Sequence, residues 1–263
     1  MKNNPDIAAA WDSTLTIVVP TFNSIEELPA CLESVQNVLG ELIGKAVFVV
    51  IQDGQSTDGT REYAENINAK GITLVSERDK GVYDAMNNAI TRADTDWIYF
   101  LGSDDRLLPD FKVMLGQLTN TNHIYYANVR FASSDKRYDG NFSTVKLAFR
   151  NICHQSMFFP SHILREDPYS LDYPVKSDWA SNIRFFASIP FQHVDLDVAL
   201  YNDNGGLSST YEDVQFEKEK ANLFYESHGY WMKLVCFVVP TTTRAFHLLS
   251  RRKKKTPGII RNT

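Results

Sequence analysis

The amino-acid sequence predicts an α/β domain built on a mostly parallel, doubly wound sheet flanked by helices. Three observations carry this expectation. Four short apolar runs rich in β-branched and aromatic residues occur within the first hundred or so positions, stretches with helical spacing separate them, and 263 residues that are 43% hydrophobic supply one core with room for an appendage.

The four runs, Leu15-Thr16-Ile17-Val18-Val19, Ala46-Val47-Phe48-Val49-Val50-Ile51, Ile72-Thr73-Leu74-Val75 and Trp97-Ile98-Tyr99-Phe100-Leu101, have the near-continuous apolar character of strands covered on both faces. Ser24 with Glu27 reads as a capping box that opens a helix over Leu28 to Val38, with Pro29 tolerated only in its first turn. Thr57 or Asp58 is placed to cap a helix over Thr60 to Ile67. Val82, Ala85, Met86, Ala89, Ile90 and Ala93 recur at helical spacing, which sets a third helix directly before the Trp97 run. Strands joined through helices imply parallel neighbours. Beyond Pro109 the pattern loosens. His123 to Phe131 and Gln155 to Pro160 read as strands, Ser177-Asp178 as the cap of a helix carrying Trp179, Ile183 and Phe186 on one side. Phe191 to Tyr201 alternates His193, Asp195 and Asp197 with Val194, Leu196 and Val198, as a half-exposed strand does. The division that follows is an extension over 1–13, a domain over 14–210 and a helical, basic tail over 211–263.

The formal charge of −5 conceals an asymmetry. Residues 230–263 hold eight Lys/Arg and no Asp/Glu, leaving 19 basic against 32 acidic residues ahead of them. So acidic a body lacks the basic face with which a nucleic-acid binder neutralises phosphates, and nucleic acid is set aside as a partner. The tail mixes Trp231, Leu234, Val235, Phe237, Val238, Phe246, Leu248 and Leu249 with Arg251-Arg252-Lys253-Lys254-Lys255, and no apolar run in it approaches the ~20 residues of a membrane span. Two readings stand: a helix lying on anionic lipid, or a helix packed on the body and followed by a solvated charge run. Met1 to Asp12 is polar and lacks the apolar core of a secretory leader, so a cytoplasmic protein is expected, peripheral to the inner face of the cell membrane if the tail binds lipid. Cys31, Cys153 and Cys236 are far apart with no Cys-x-x-Cys, which points to small buried residues in a reducing compartment.

In a sheet of this type ligands bind beyond the carboxyl ends of the strands. The residues found there are Pro20-Thr21-Phe22-Asn23, then Gln52 to Gly59, then Ser76-Glu77-Arg78-Asp79-Lys80-Gly81, then Gly102-Ser103-Asp104-Asp105. Each segment alone has the composition of an ordinary turn, whereas four in succession carry hydroxyls, amides and carboxylates to one edge. Asp104 and Asp105 are the most informative, because adjacent carboxylates ending a buried strand repel one another unless exposed or bridged by a cation. Mg2+ or Mn2+ binds through one or two carboxylates when the substrate brings a diphosphate. A turn-capping Asp104 beside a solvated Asp105 is the competing reading.

Thr16-Ile17-Val18-Val19-Pro20-Thr21-Phe22-Asn23, Asp53-Gly54-Gln55-Ser56-Thr57-Asp58-Gly59-Thr60, Glu77-Arg78-Asp79-Lys80-Gly81-Val82-Tyr83-Asp84-Ala85-Met86-Asn87 and Gly102-Ser103-Asp104-Asp105 together resemble the family 2 glycosyltransferases of GT-A fold, a Rossmann-like sheet flanked by helices. The likeness is strongest to bacterial enzymes of exopolysaccharide, colanic-acid and O-antigen assembly, and covers roughly residues 14 to 210. It implies an inverting enzyme that uses Mn2+ or Mg2+ to move a sugar from a nucleotide-diphosphate donor to a hydroxyl of a lipid-linked glycan. By the same resemblance Thr21 and Asn23 line the nucleoside pocket, Phe22 lies against sugar or base, Asp53 accepts from the base, and Asp79 and Lys80 close the pocket. Asp104 faces ribose or metal, and Asp105 ligates the cation. Where many members have an Asp two places before Asp104 this chain has Gly102, so a single-carboxylate contact is expected rather than a full Asp-x-Asp cage.

Inversion needs a base on the face opposite the leaving diphosphate. Asp178 matches the family's base-bearing segment, with Asp172 and Glu166 in reserve. A helix N-terminus favours the ionised carboxylate, although the same placement serves a residue that merely stabilises its own helix. His154 and Gln155 match an acceptor-side segment, and Gly205 and Gly206 a segment that approaches the diphosphate. Two other functions compete. A nucleotidyltransferase wants a glycine- and Lys/Arg-rich loop after the first strand, which Thr21-Phe22-Asn23-Ser24 is not; a non-catalytic nucleotide-sugar binder has no need of both Asp105 and Asp178. A dinucleotide oxidoreductase is disfavoured because no Gly-x-Gly-x-x-Gly follows a strand.

Overall fold

Strand β1 (Leu15–Thr21) runs through the middle of a parallel block in which β2 (Val47–Asp53) and β4 (Trp97–Phe100) flank it and β3 (Ile72–Ser76) lies outside β2. The computed structural model describes residues 11–67, 69–138, 140–204 and 211–236; Gly205, Gly206 and the basic run 251–255 lie outside the described residues. The parallel strands are joined through helices α1 (Leu28–Leu39), α2 (Thr60–Glu65) and α3 (Val82–Arg92). The chain continues through β5 (Arg106–Leu107), α4 (Asp110–Leu115), β6 (Ile124–Phe131), α5 (Thr144–Phe149), β7 (Met157–Pro160), α6 (Ser161–Glu166), α7 (Ser177–Ser188), β8 (Phe191–Tyr201) and α8 (Val214–His228). The eight strands form one mixed sheet in the order β3-β2-β1-β4-β7-β6-β8-β5, antiparallel from β4 to β7 and from β7 to β6.

The strand residues sort to two faces because successive side chains of a strand point opposite ways. Ile17 and Val19 enter a core with Leu28, Val35 and Phe111, while Val18 enters the other with Met86, Ile90 and Ile183. In β4, Trp97 and Tyr99 go to the first core, and Ile98 and Phe100 to the second. Both faces are thus covered, which explains why these strands read as unbroken apolar runs. The second core also takes in Phe216, Phe224 and Met232, so α8 and the turn after it are packed on α7.

Several local expectations are corrected. Ser24 forms no capping box: its hydroxyl donates to the Phe22 carbonyl, and Glu27 occupies the N-cap of α1 without a side-chain bond. α2 ends at Glu65 because Asn66 turns its amide onto the Glu62 carbonyl, and Gly59 is its N-cap while Asp58 accepts from the Thr60 N–H and hydroxyl. Ser177 and Asp178 lie inside the first turn of α7, after Lys176 at the N-cap. On β8, Asp197 is 8% exposed rather than half-exposed, because the Arg130 and Arg137 Nε groups donate to it at 2.8 and 2.6 Å.

Candidate active site

The carboxyl ends of β1, β2, β3 and β4 open on one edge, and the loops there are bonded to each other. The Asn23 N–H donates to Ser56 Oγ at 2.8 Å, and its side-chain oxygen accepts from the Thr57 N–H at 2.9 Å. Asn23 itself sits at φ 50°, a left-handed conformation that asparagine tolerates better than most residues. Ser24 N–H donates to Thr60 Oγ1, Ile25 N–H to Asp58, and Ser103 Oγ to Ser24 Oγ at 3.2 Å, which ties in the loop after β4. Phe22 rises from this rim 62% exposed. Beside it stands Gly54, where a Cβ would lie 3.2 Å from the Phe22 ring and 2.8 Å from Asp79 Oδ2, so glycine is what lets these two side chains converge. Asp79 is held in turn by the Gly81 N–H at 2.8 Å. Lys80 is exposed next to it, and its N–H donates to Asp84 Oδ2.

Asp53 behaves differently from its neighbours on this edge. It is fully buried, and its carboxylate accepts from the Ser56 N–H, the Ser56 hydroxyl and the Ser76 hydroxyl. In this arrangement Asp53 supports the pocket from below, by fixing the Ser56 that holds Asn23. Thr21 is buried with its hydroxyl unpartnered.

The acidic pair after β4 is the electrostatic centre of the site. Asp105 is 0% exposed; its Oδ1 accepts from the Asn202 N–H at 2.8 Å, its Oδ2 has no partner at normal hydrogen-bond distance, and the Gln155 side chain approaches the carboxylate closely enough to favour its charged form. Asp104 Oδ2 accepts from the Asn202 side chain at 3.2 Å. A Cβ at Gly102 would stand 2.5 Å from Asp105 Oδ2 and 2.9 Å from Asp104 Oδ1, so both carboxylates close on a space that only glycine leaves open. Burial first, and the Asp104 charge second, push the Asp105 carboxyl from 3.8 up to about 7. A buried carboxylate oxygen without a donor, next to a second carboxylate, fits a divalent cation. Among the described residues no three His, Cys, Asp or Glu side chains form a metal cage, so the protein offers this pair alone and other ligands have to come from substrate and water.

Asp178, in the first turn of α7, is half-buried. Its Oδ1 accepts from the Tyr83 hydroxyl and its Oδ2 from the Asn151 side-chain amide, each at 2.7 Å, and the Asn182 side-chain amide donates to Asn151 Oδ1 at 2.8 Å. Burial, and then the Asp178 charge, hold Tyr83 protonated as a donor. The segment from Asn151 to Gln155 connects the two acidic groups. Asn151 binds Asp178, the Gln155 carbonyl accepts from Tyr99 beneath the Asp105 loop, and the Cys153 thiol between them is raised by burial and by both carboxylates. His154 stacks on Phe100 at 4.9 Å and lies 2.7 Å from the Tyr169 hydroxyl; burial lowers its basicity, so it stands here as a neutral, packed ring. The reserve carboxylates Glu166 and Asp172 are exposed, and Asp172 is paired with Ser170. Asn202, Tyr83 and Asn151 were not singled out for roles from the sequence. Tyr83 lies within the Glu77 to Asn87 motif and Asn151 directly before Ile152-Cys153-His154, but nothing local marks either as a partner of Asp178.

The model of the family described as glycosyl transferase family 2 matches residues 16–186, a span that takes in every acidic residue just placed. The chain belongs to that family. A PGL/p-HBAD biosynthesis glycosyltransferase of Mycobacterium bovis is 35% identical to it over 216 residues, 77% of this chain and 82% of the relative, and the Mycobacterium tuberculosis protein of the same description matches to the same extent. Solved structures share the fold. S. aureus TarS 1–349 in complex with UDP-GlcNAc superposes with a TM-score of 0.68 at 13% identity, over 82% of this chain and 67% of that one. The mannosyltransferase PcManGT from Pyrobaculum calidifontis, in complex with GDP-Man and Mn2+, superposes with a TM-score of 0.62 at 18% identity, over 96% and 82%. The sheet of this glycosyltransferase is therefore the GT-A sheet, with its acidic pair at the end of β4.

Proposed function

We propose that this glycosyltransferase inverts the anomeric centre in a single displacement, with a nucleotide diphosphate as leaving group and the hydroxyl of a lipid-linked glycan as nucleophile. The observation that carries the reading is the placement of Asp105, with its unpartnered buried oxygen, and Asp178, with both oxygens oriented by neutral donors, at the two ends of the segment 151–155. The relatives named for PGL/p-HBAD biosynthesis, and the neighbours holding UDP-GlcNAc or GDP-Man, support a sugar donor of this class. Phe22, Gly54 and Asp79 form the wall against which the nucleoside lies, with Thr21, Asn23 and Lys80 beside them and Asp53 fixing the loop from beneath. Asp104 and Asp105 would hold Mn2+ or Mg2+, which supplies charge neutralisation for the departing diphosphate. Asp178 accepts the proton of the acceptor hydroxyl as the new C–O bond forms and the bond to phosphate breaks. Tyr83 and Asn151 keep its carboxylate aimed, and His154 and Gln155 shape the acceptor side. The enzyme works in the cytoplasm in polysaccharide or glycolipid assembly, peripheral to the membrane that carries its acceptor.

The test is Asp178→Asn, which preserves shape while removing the base. Calorimetry with UDP and GDP sugars in the presence of Mn2+ should show unchanged donor affinity, and turnover should fall by about 10²–10⁴. Near-native turnover would refute the assignment.

A further inference from the structure

After α8 the chain turns at Gly229 and is helical again over residues 230–236. One side of this short stretch is inside: Met232 is buried, and Val235 and Cys236 pack against the same core as Phe216 and Phe224. The other side carries Tyr230, Trp231 and Leu234, spaced three and four residues apart, with Trp231 72% and Tyr230 65% exposed. Tyr225 of α8 adds a further exposed ring, and the Lys233 ammonium lies 5.0 Å from its centroid. A helix apolar on both sides needs cover on both, and the described residues provide it on one.

Two facts indicate what covers the other. Residues 237–263 carry seven Lys/Arg and no Asp/Glu, five of them in the run Arg251–Lys255 some fifteen residues beyond the aromatic face, whereas the rest of the molecule is acidic. Tyr and Trp rings interleaved with lysine match the headgroup layer of a bilayer, where a ring has an apolar body and a wet edge. The patch, four side chains, is also small beside the ~800 Å² per partner of a stable protein interface. The packed side of this stretch reaches the helix that carries Asp178: Val235 and Cys236 join the core of Phe216, and the Lys220 ammonium of α8 sits 3.9 Å over the ring of Trp179, the residue after Asp178.

We propose that Tyr225, Tyr230, Trp231 and Leu234 form a docking face that lies in the headgroup region of an anionic lipid bilayer, with the run Arg251–Lys255 supplying the electrostatic attraction. This docking turns the Asp178 side of the molecule toward the membrane; the orientation's use, though not the lipid binding, rests on the proposed acceptor chemistry. The test uses the full chain with phosphatidylcholine vesicles and with vesicles in which about a third of the lipid is phosphatidylglycerol. The native protein should sediment with the anionic vesicles only, and release as salt is raised. Trp231→Ser with Leu234→Ser changes only exposed side chains, so melting and donor hydrolysis should be unaltered while vesicle affinity falls by about tenfold or more. Replacing Arg251, Arg252, Lys253, Lys254 and Lys255 with Gln should abolish binding. Hydrogen exchange on anionic vesicles should slow at 225–236 and around α5, whose Leu147 carbonyl accepts from Trp179, and not at α4 across the sheet. Unchanged affinity of the double variant, failure of the native chain to bind either vesicle, protection at α4, or a native dimer that the double variant converts to monomer would overturn the proposal.

Discussion

Replacement of Asp105 by Asn removes a charge that the fold holds against its solvation preference. The Asp105 carboxyl stands at about 7 in the folded chain against a reference of 3.8, through burial first and the Asp104 charge second. The folded state therefore binds this proton more tightly than the unfolded one, and between about pH 4 and pH 7 the native chain keeps a proton that the unfolded chain releases. Stability falls as pH rises through that window, and above it the whole penalty is present. At about 1.4 kcal/mol for each tenfold in proton affinity, the displacement corresponds to about 4 kcal/mol. Asn keeps an oxygen to accept from Asn202 N–H and places a neutral donor near Asp104. In buffer with EDTA, thermal unfolding followed by circular dichroism should show native and variant nearly alike at about pH 4 and below, already diverging at pH 5, and the variant more stable near pH 8 by about 5–10 °C. Mn2+ should raise the melting point of the native protein at pH 8 and leave the variant unmoved. A difference that does not change with pH, or equal stabilisation of both by Mn2+, would refute the account of Asp105 as a strained, cation-seeking carboxylate.

Other perturbations follow from the same geometry. Tyr83→Phe deletes one donor to Asp178 but keeps the ring packed on Tyr169, so calorimetry should find donor affinity unchanged and steady-state assays a turnover about tenfold to a hundredfold lower. Gly102→Ala puts a methyl 2.5 Å from Asp105 Oδ2, and the carboxylates must move apart; Mn2+ titration should show at least about tenfold weaker binding, and urea unfolding a loss of about 1–3 kcal/mol. Phe216→Ala empties a fully buried site between the rings of Trp179 and Tyr173, and urea unfolding should register a loss of about 3–5 kcal/mol. A loss below about 1 kcal/mol there would mean that α8 adds little to the core.

The first hundred residues were legible because a strand covered on both faces leaves a local record. Leu15 to Val19 is apolar at every position except Thr16, and the structure sends Ile17 and Val19 to one core and Val18 to the other. Helix starts were less legible: Ser24 has the spacing of a capping box, yet its hydroxyl is drawn to the Phe22 carbonyl and its N–H to Thr60, 36 residues on. Asp197 misled for a similar reason. Its alternation with Val198 suggests an outward-facing carboxylate, but Arg130 and Arg137 arrive from 67 and 60 residues away and neutralise it in place. Where a side chain's partner is distant, its residue type and position alone do not determine its burial.

The same limit separates two carboxylates that look alike in sequence. Asp53 and Asp105 each follow an apolar strand and each stand in a turn rich in Gly and Ser, so both read as ligands. The structure gives Asp53 the hydroxyls of Ser56 and Ser76 and leaves no oxygen wanting a donor. Asp105 receives the N–H of Asn202, 97 residues away, with the Gln155 side chain near it, and its Oδ2 is left without a close donor, facing Asp104 across Gly102. Three donors make Asp53 a brace for the loop after β1, whereas a poorly met carboxylate oxygen beside a like charge makes Asp105 the group with most to gain from a cation. Asp178 falls between them: Tyr83, 95 residues distant, donates to one of its oxygens, and Asn151, 27 residues distant, to the other. Three aspartates of one chemical type thus receive three different sets of donors from the fold, and on the proposed reading exchanging those donors, rather than the aspartates, is what should exchange their tasks.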